Sequence, residues 1–162
     1  MNSKILIAGI VVLSVIVIGI VAAADASSSN DDPNVTYNYQ VKNQTDSITY
    51  TSGQYTFHDD APAGKTYQPV RFIVKNVEYD KGYGASLSAF KIRCSDGNEY
   101  SFKYSSTEYY GDAPPTNMKL GVGSKISYTI VFEIPKGLSV TDIVFDEPSY
   151  LGIHGGYDPE LS

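Results

Sequence analysis

The chain has 162 residues, 12 basic against 18 acidic, for a net charge of −6. That balance argues against nucleic acid and anionic membrane surfaces as partners. A single cysteine, Cys94, excludes an intramolecular disulfide, so whatever folds must be held by its core.

Residues 5–24 read ILIAGIVVLSVIVIGIVAAA, without a charge. As a helix, twenty residues rise about 30 Å, enough to cross the hydrocarbon core of a bilayer. The sequence therefore predicts a membrane anchor, with a signal peptide cleaved near Ala24 as the alternative, because Ala22-Ala23-Ala24 offers the small residues a signal peptidase requires. Signal h-regions span about 7–15 residues, shorter than this run, which favours the anchor. No cysteine stands at its end, which excludes a bacterial lipoprotein anchor. Lys4 precedes the run, and Asp25, Asp31 and Asp32 follow it. The positive-inside rule then places everything from Asp25 outside a cell membrane, in a single-pass arrangement. The exterior part carries a net charge of −7, since only Lys4 among the basic residues is left behind.

Residues 25–34, DASSSNDDPN, are small, polar and acidic and read as a flexible linker. From Val35 the pattern changes to period two: Val35, Tyr37, Tyr39 and Val41 share one face. Ile48 and Tyr50, then Tyr55 and Phe57, repeat it around Ser52-Gly53. In 69–77, PVRFIVKNV, Val70, Phe72 and Val74 point inward and Arg71 and Lys75 outward. Phe90, Ile92 and Cys94 form the next inward set; Leu87 and Ala89 have the opposite parity, which predicts a bulge or bend near Ala89. Asp96-Gly97 is a hairpin signal, and Tyr100, Phe102 and Tyr104 line the return strand. Ile126, Tyr128, Ile130, Phe132 and Ile134 alternate up to a Pro135-Lys136-Gly137 turn, after which Ile143 and Phe145 enter the core. No window from 35 to 162 has helical period. The expected fold class is all-β, an antiparallel β-sandwich over 35–150 with a tail at 151–162, preceded by the N-terminal hydrophobic helix.

The same segments carry a family resemblance. FIVKNV (72–77), FKIRCSDGNEY (90–100), LGVGSKISYTIVFEIPKG (120–137) and IVFDE (143–147) resemble domain-of-unknown-function family 4352. The matching features are a V-x-N strand, an F-x-L-x-x-x-D-G-x-x-Y hairpin and a G…F-x-V-P-K-G strand and turn, together covering about residues 66–147. The resemblance implies an immunoglobulin-like, telokin-like sandwich, similar to the mycobacterial immunoprotective extracellular antigen. Members are exported by bacteria and archaea and often tethered by a lipid or a helix. The family carries no established activity, so it supplies no catalytic residue or cofactor.

Candidate chemistry is sparse, and the chain is not expected to be an enzyme. Cys94 with His58 or His154 would be a nucleophilic pair, but Cys94 alternates in phase with Phe90 and Ile92 and reads as a core thiol. His58-Asp59-Asp60 is the candidate metal cluster, with His154, Asp158 and Glu160 a weaker one; neither has the spacing of a known calcium loop or zinc site. Asn34-Val35-Thr36 and Asn43-Gln44-Thr45 are glycosylation sequons. The chain has 14 tyrosines and no tryptophan. Tyr79, Tyr83, Tyr109, Tyr110, Tyr150 and Tyr157 lie in apparent loops, where stiff, amphipathic rings suit recognition of a protein or glycan at the cell surface. Tracing alternate strand directions brings all three tyrosine-bearing segments to one end of the sandwich, the expected binding rim.

Overall fold

The computed structural model describes residues 32–52, 54–103 and 118–162. The apolar run 5–24, Tyr104, Tyr109 and Tyr110 lie outside the described residues. Among the described residues no helix is long and apolar enough to cross a membrane.

The described chain is mostly β. Its strands are β1 (Val35–Val41), β2 (Ser47–Ser52), β3 (Tyr55–Asp60), β4 (Lys65–Asn76), β5 (Phe90–Cys94), β6 (Glu99–Tyr100), β7 (Lys125–Pro135), β8 (Val140–Phe145) and β9 (Gly155–Tyr157). They form a four-stranded sheet in the order β7-β4-β1-β9, a three-stranded sheet β6-β5-β8 and a two-stranded hairpin β2-β3. The alternation read from the sequence sets which side chains are covered. Val70, Phe72 and Val74 of β4 and Tyr128, Ile130, Phe132 and Ile134 of β7 are buried. They meet Phe90, Ile92, Cys94 and Ile143 of the three-stranded sheet in one core. Phe72 and Phe90 stack across it with centroids 4.2 Å apart. Each such fully buried apolar side chain contributes roughly 1.5–3 kcal/mol.

β4 is the spine, paired with β7 over Lys65–Lys75 and with β1 over Val70–Asn76. It begins earlier than its pattern suggests and takes Pro69 into its interior, a position a ladder normally forbids. The exception has a local cause. The Pro69 carbonyl accepts from the Lys42 amide at 3.0 Å, so its missing N–H also faces the β1 side, where β1 has already ended at Val41. No ladder bond is lost.

The bend expected near Ala89 is present as a short 3-10 turn, Leu87–Ala89, capped by the Ser86 hydroxyl, with the strand starting at Phe90. The structure differs from the sequence reading in three places. The return strand after Asp-Gly is two residues long; Phe102 then bridges Phe132 of β7, so the chain crosses from one sheet to the edge of the other. The sheets are not all antiparallel, because β9 pairs with β1 in parallel, Val35 opposite Gly155 and Tyr37 opposite Tyr157. Finally, residues 151–162, read as a tail, carry β9 and a buried Leu161.

β9 forms from a Gly-Gly pair with little strand propensity. Its surroundings explain the composition. A Cβ on Gly155 would lie 2.4 Å from the Phe145 ring, and one on Gly156 would lie 2.7 Å from Pro33. Each glycine thus leaves room for a ring on its own side of β9, Phe145 for Gly155 and Pro33 for Gly156.

The β2-β3 hairpin packs its root on the body. Ile48 joins Tyr67 and Val131 in a second small cluster, with Ala61 beside it, on the face of the four-stranded sheet opposite the main core. Beyond that contact Tyr55 and Phe57 are exposed, at 62% and 44%. The Pro-Lys-Gly turn joins β7 to β8 and thus sheet to sheet, with Gly137 at φ 86°.

Candidate functional site

Two ends of the domain differ in character. The end where β4 finishes at Asn76, called upper here, is built around that buried side chain. The Asn76 amide donates to the carbonyls of Tyr79 (2.9 Å) and Leu120 (2.7 Å), and its oxygen accepts from the Tyr79 N–H (2.8 Å). The asparagine of the V-x-N motif therefore closes the loop it precedes. Tyr83 follows, pairing its backbone with Leu120 through both N–H···O bonds. Its ring is fully buried, and its hydroxyl donates to Glu147 Oε1 at 3.1 Å. Tyr128 is buried beside the same carboxylate, and its hydroxyl has no hydrogen-bond partner among the described residues. Burial, then the neighbouring phenol and carboxylate, push the Tyr83 hydroxyl far above its ordinary range. Burial also raises Glu147, the Tyr83 hydrogen bond opposing it.

This corrects the binding rim. The loop of Tyr79 and Tyr83 does meet the segment 147–151 at one end, since Tyr79 donates to the Leu151 carbonyl (3.1 Å) and Tyr83 to Glu147. But Tyr83 is an end-plug of the core and offers no surface, and Tyr79 is half-buried. Both rings are drawn down because their loop folds back onto Leu120 and Leu151. Of the described tyrosines proposed for the rim, Tyr150 and Tyr157 are exposed, at 85% and 49%. Tyr109 and Tyr110 are outside the described residues. Tyr157 ends β9, where its ring lies 5.5 Å from Tyr39.

At the lower end, strand alternation splits the expected metal cluster. His58 and Asp60 point to one face of β3 and Asp59 to the other. His58 Nε2 pairs with Asp60 Oδ1 at 2.7 Å, and its Nδ1 lies 3.1 Å from Thr49 Oγ1. Asp59 instead accepts from the buried Tyr67 hydroxyl at 3.0 Å. Three adjacent residues in a strand cannot converge on one ion. Among the described residues no group of three His, Cys, Asp or Glu side chains could hold a metal. The weaker set is also dispersed: Asp158 caps the Glu160 amide, and the His154 backbone binds Asn34.

Cys94 is buried, and burial, with Asp96 adding to it, raises its thiol to about 11. It packs in the core with Phe90 and Ile92. Neither histidine is arranged as its base: His58 lies on the exposed hairpin bonded to Asp60, and His154 lies beside Asn34.

The sequons are not equivalent. Asn34 donates to the Gly152 carbonyl (2.8 Å) and accepts from the His154 N–H (2.9 Å), so its amide ties the entry of the domain to its C-terminal segment. Asn43 lies exposed on the β1-β2 connection. The exposed aromatic pair Tyr55 and Phe57, 6.4 Å apart, was legible only as strand alternation and was not among the expected site residues. No protein family, curated protein or solved structure is matched by the chain.

Proposed function

We propose that the chain is an exterior, membrane-anchored module: an immunoglobulin-like β-sandwich of the kind seen in domain-of-unknown-function family 4352. It acts at the cell surface by binding or by structure and carries out no catalysis. The observation that carries this reading is the uncharged run 5–24, flanked by Lys4 and by Asp25, Asp31 and Asp32. The two sheets sharing one core support the sandwich. The motif positions of the resemblance all have structural work: Asn76 closes a loop, Asp96-Gly97 makes a hairpin turn, and Gly137 turns between sheets.

The tether sets orientation. The folded part begins at Asn34–Val35, at the upper end, so that end faces the membrane. The β2-β3 hairpin is rooted at the other end, beside the β7-β8 turn, where Lys136 pairs with Asp46 at 2.8 Å. Tyr55 and Phe57 are therefore the aromatic surface offered to a protein or glycan partner. Carbonate extraction of membranes from expressing cells, followed by an intact-mass measurement, tests the anchor. The protein should stay in the membrane pellet with residues 1–24 attached. A soluble species beginning at Asp25 would show a cleaved signal and a secreted protein instead.

A further inference from the structure

The upper end has features that partner binding away from the membrane does not use. Tyr150 is 85% exposed and Val122 57% exposed, and both stand there. Neither is presented by a loose loop. Tyr150 projects from the 3-10 turn Ser149–Leu151, which is held by the Leu151 N–H to Pro148 carbonyl bond (3.0 Å), by the Tyr79 hydroxyl on the Leu151 carbonyl and by Asn34 on Gly152. Val122 lies in a turn closed by the Gly123 N–H on the Asn76 carbonyl (2.7 Å) and the Ser124 N–H on the Gly121 carbonyl (3.0 Å). Displaying a large apolar group from a fixed backbone lowers the entropy lost on contact.

We propose that Tyr150 and Val122 form a membrane-resting face, seated in the interfacial layer of the same bilayer that residues 5–24 cross; this rests on the anchor reading above. Distance allows it. The apolar run ends at Ala24 and the fold begins at Val35. The ten residues 25–34 could reach at most about 35 Å even if fully extended. The upper end is therefore confined to the headgroup neighbourhood. Tyrosine is enriched at that depth, its ring among the acyl carbonyls and its hydroxyl in water. Charge selects the lipid. The segments at this end carry both signs, Lys75, Lys81 and Lys119 with Glu78, Asp80 and Glu147, so the end has no single sign to draw it to anionic headgroups. The fitting surface is zwitterionic. Tethering raises the effective concentration of the face at the membrane to the millimolar range, so a contact too weak to hold a free protein is occupied here. Resting on the bilayer would fix the hairpin end outward.

Because the chain has no tryptophan, a single introduced one reports alone. The full chain bearing Tyr150→Trp is reconstituted into phosphatidylcholine vesicles with brominated acyl chains and compared with Tyr55→Trp; Val122→Trp is the second reporter. Both upper-end positions are exposed, so folding is not at risk. Quenching severalfold stronger at 150 and 122 than at 55, in protein that floats with the vesicles, is expected. Equal, weak quenching at all three positions in floating protein would overturn the membrane-resting face while leaving the anchor intact. Protein that does not float would overturn both.

Discussion

Gly155→Ala is the sharpest test of how the C-terminal segment joins the fold. The added methyl would lie 2.4, 2.5 and 2.7 Å from Cδ1, Cγ and Cε1 of Phe145. Carbon atoms rest at about 3.5–4.0 Å, so about 1 Å of separation must be created. The Phe145 ring is not free to supply it. It stacks on Tyr37 (5.8 Å, 7°) and meets Phe90 edge-on (5.4 Å). Two responses compete. Either the aromatic cluster shifts, at the usual overpacking cost of about 1–3 kcal/mol, or β9 lifts from β1 and forfeits its pairing. The cheaper response sets the cost. If the cluster yields, the melting temperature falls by about 4–12 °C, taking about 4 °C per kcal/mol for a domain of this size. If β9 detaches, thermal stability drops less, but the Val35 and Asp158 amides, bonded to the His154 and Tyr37 carbonyls, lose hydrogen-exchange protection. Gly156→Ala is the control. Its methyl would lie 2.7 Å from Cβ and Cγ of Pro33, which is exposed instead of wedged among Tyr37 and Phe90, so it should cost less than Gly155→Ala. A Gly155→Ala protein with unchanged melting and unchanged exchange would refute the placement of β9 against Phe145.

Glu147→Gln should stabilise the domain at neutral pH, because Gln keeps an acceptor for Tyr83 and removes a carboxylate whose burial raises its folded-state pKa. A raised carboxylate pKa makes stability fall as pH rises from the unfolded value through the folded one. The advantage of Gln should therefore grow from pH 4 to pH 7 in paired thermal melts and vanish in acid; a constant difference would contradict it. Gly97→Val should cost about 1 kcal/mol or more, since Gly97 has φ 80° and strained backbone is the whole penalty. A Cβ there meets nothing within 4 Å, so Gly97→Asn should be close to neutral by comparison. Cys94 should react with maleimide slowly in the native state and fast in denaturant, as a buried thiol raised to about 11 requires. Rapid native labelling would place it outside the core.

Strands β1, β5 and β8 and the Val70–Asn76 half of β4 were legible because each pairs a more covered face with a more open one, and period two reports that difference directly; Thr66–Val70 of β4 and Tyr128–Phe132 of β7 are covered on both faces. The same signal misleads at the hairpin. Tyr55 and Phe57 alternate like core residues, but alternation says only that two faces differ, not that anything covers either. Tyr83 failed in the opposite direction. EYDKGYGAS has the composition of a surface loop, and only the backbone bridge from Tyr83 to Leu120, a contact between distant residues, draws the ring inside. β9 was invisible because its glycines are selected by Phe145 and Pro33, which local propensity does not see. The His58-Asp59-Asp60 cluster was an artefact of adjacency, undone once the run proved to be a strand.

The central claim is a domain held outside the membrane with its hairpin end turned away. Gln54, at the exposed hairpin, is replaced by cysteine in the full chain; buried Cys94 can remain. Intact cells are then treated with a membrane-impermeant maleimide. The account predicts labelling of position 54 in intact cells, in protein that stays in the membrane after carbonate extraction. Labelling only after lysis would place the domain inside and contradict it.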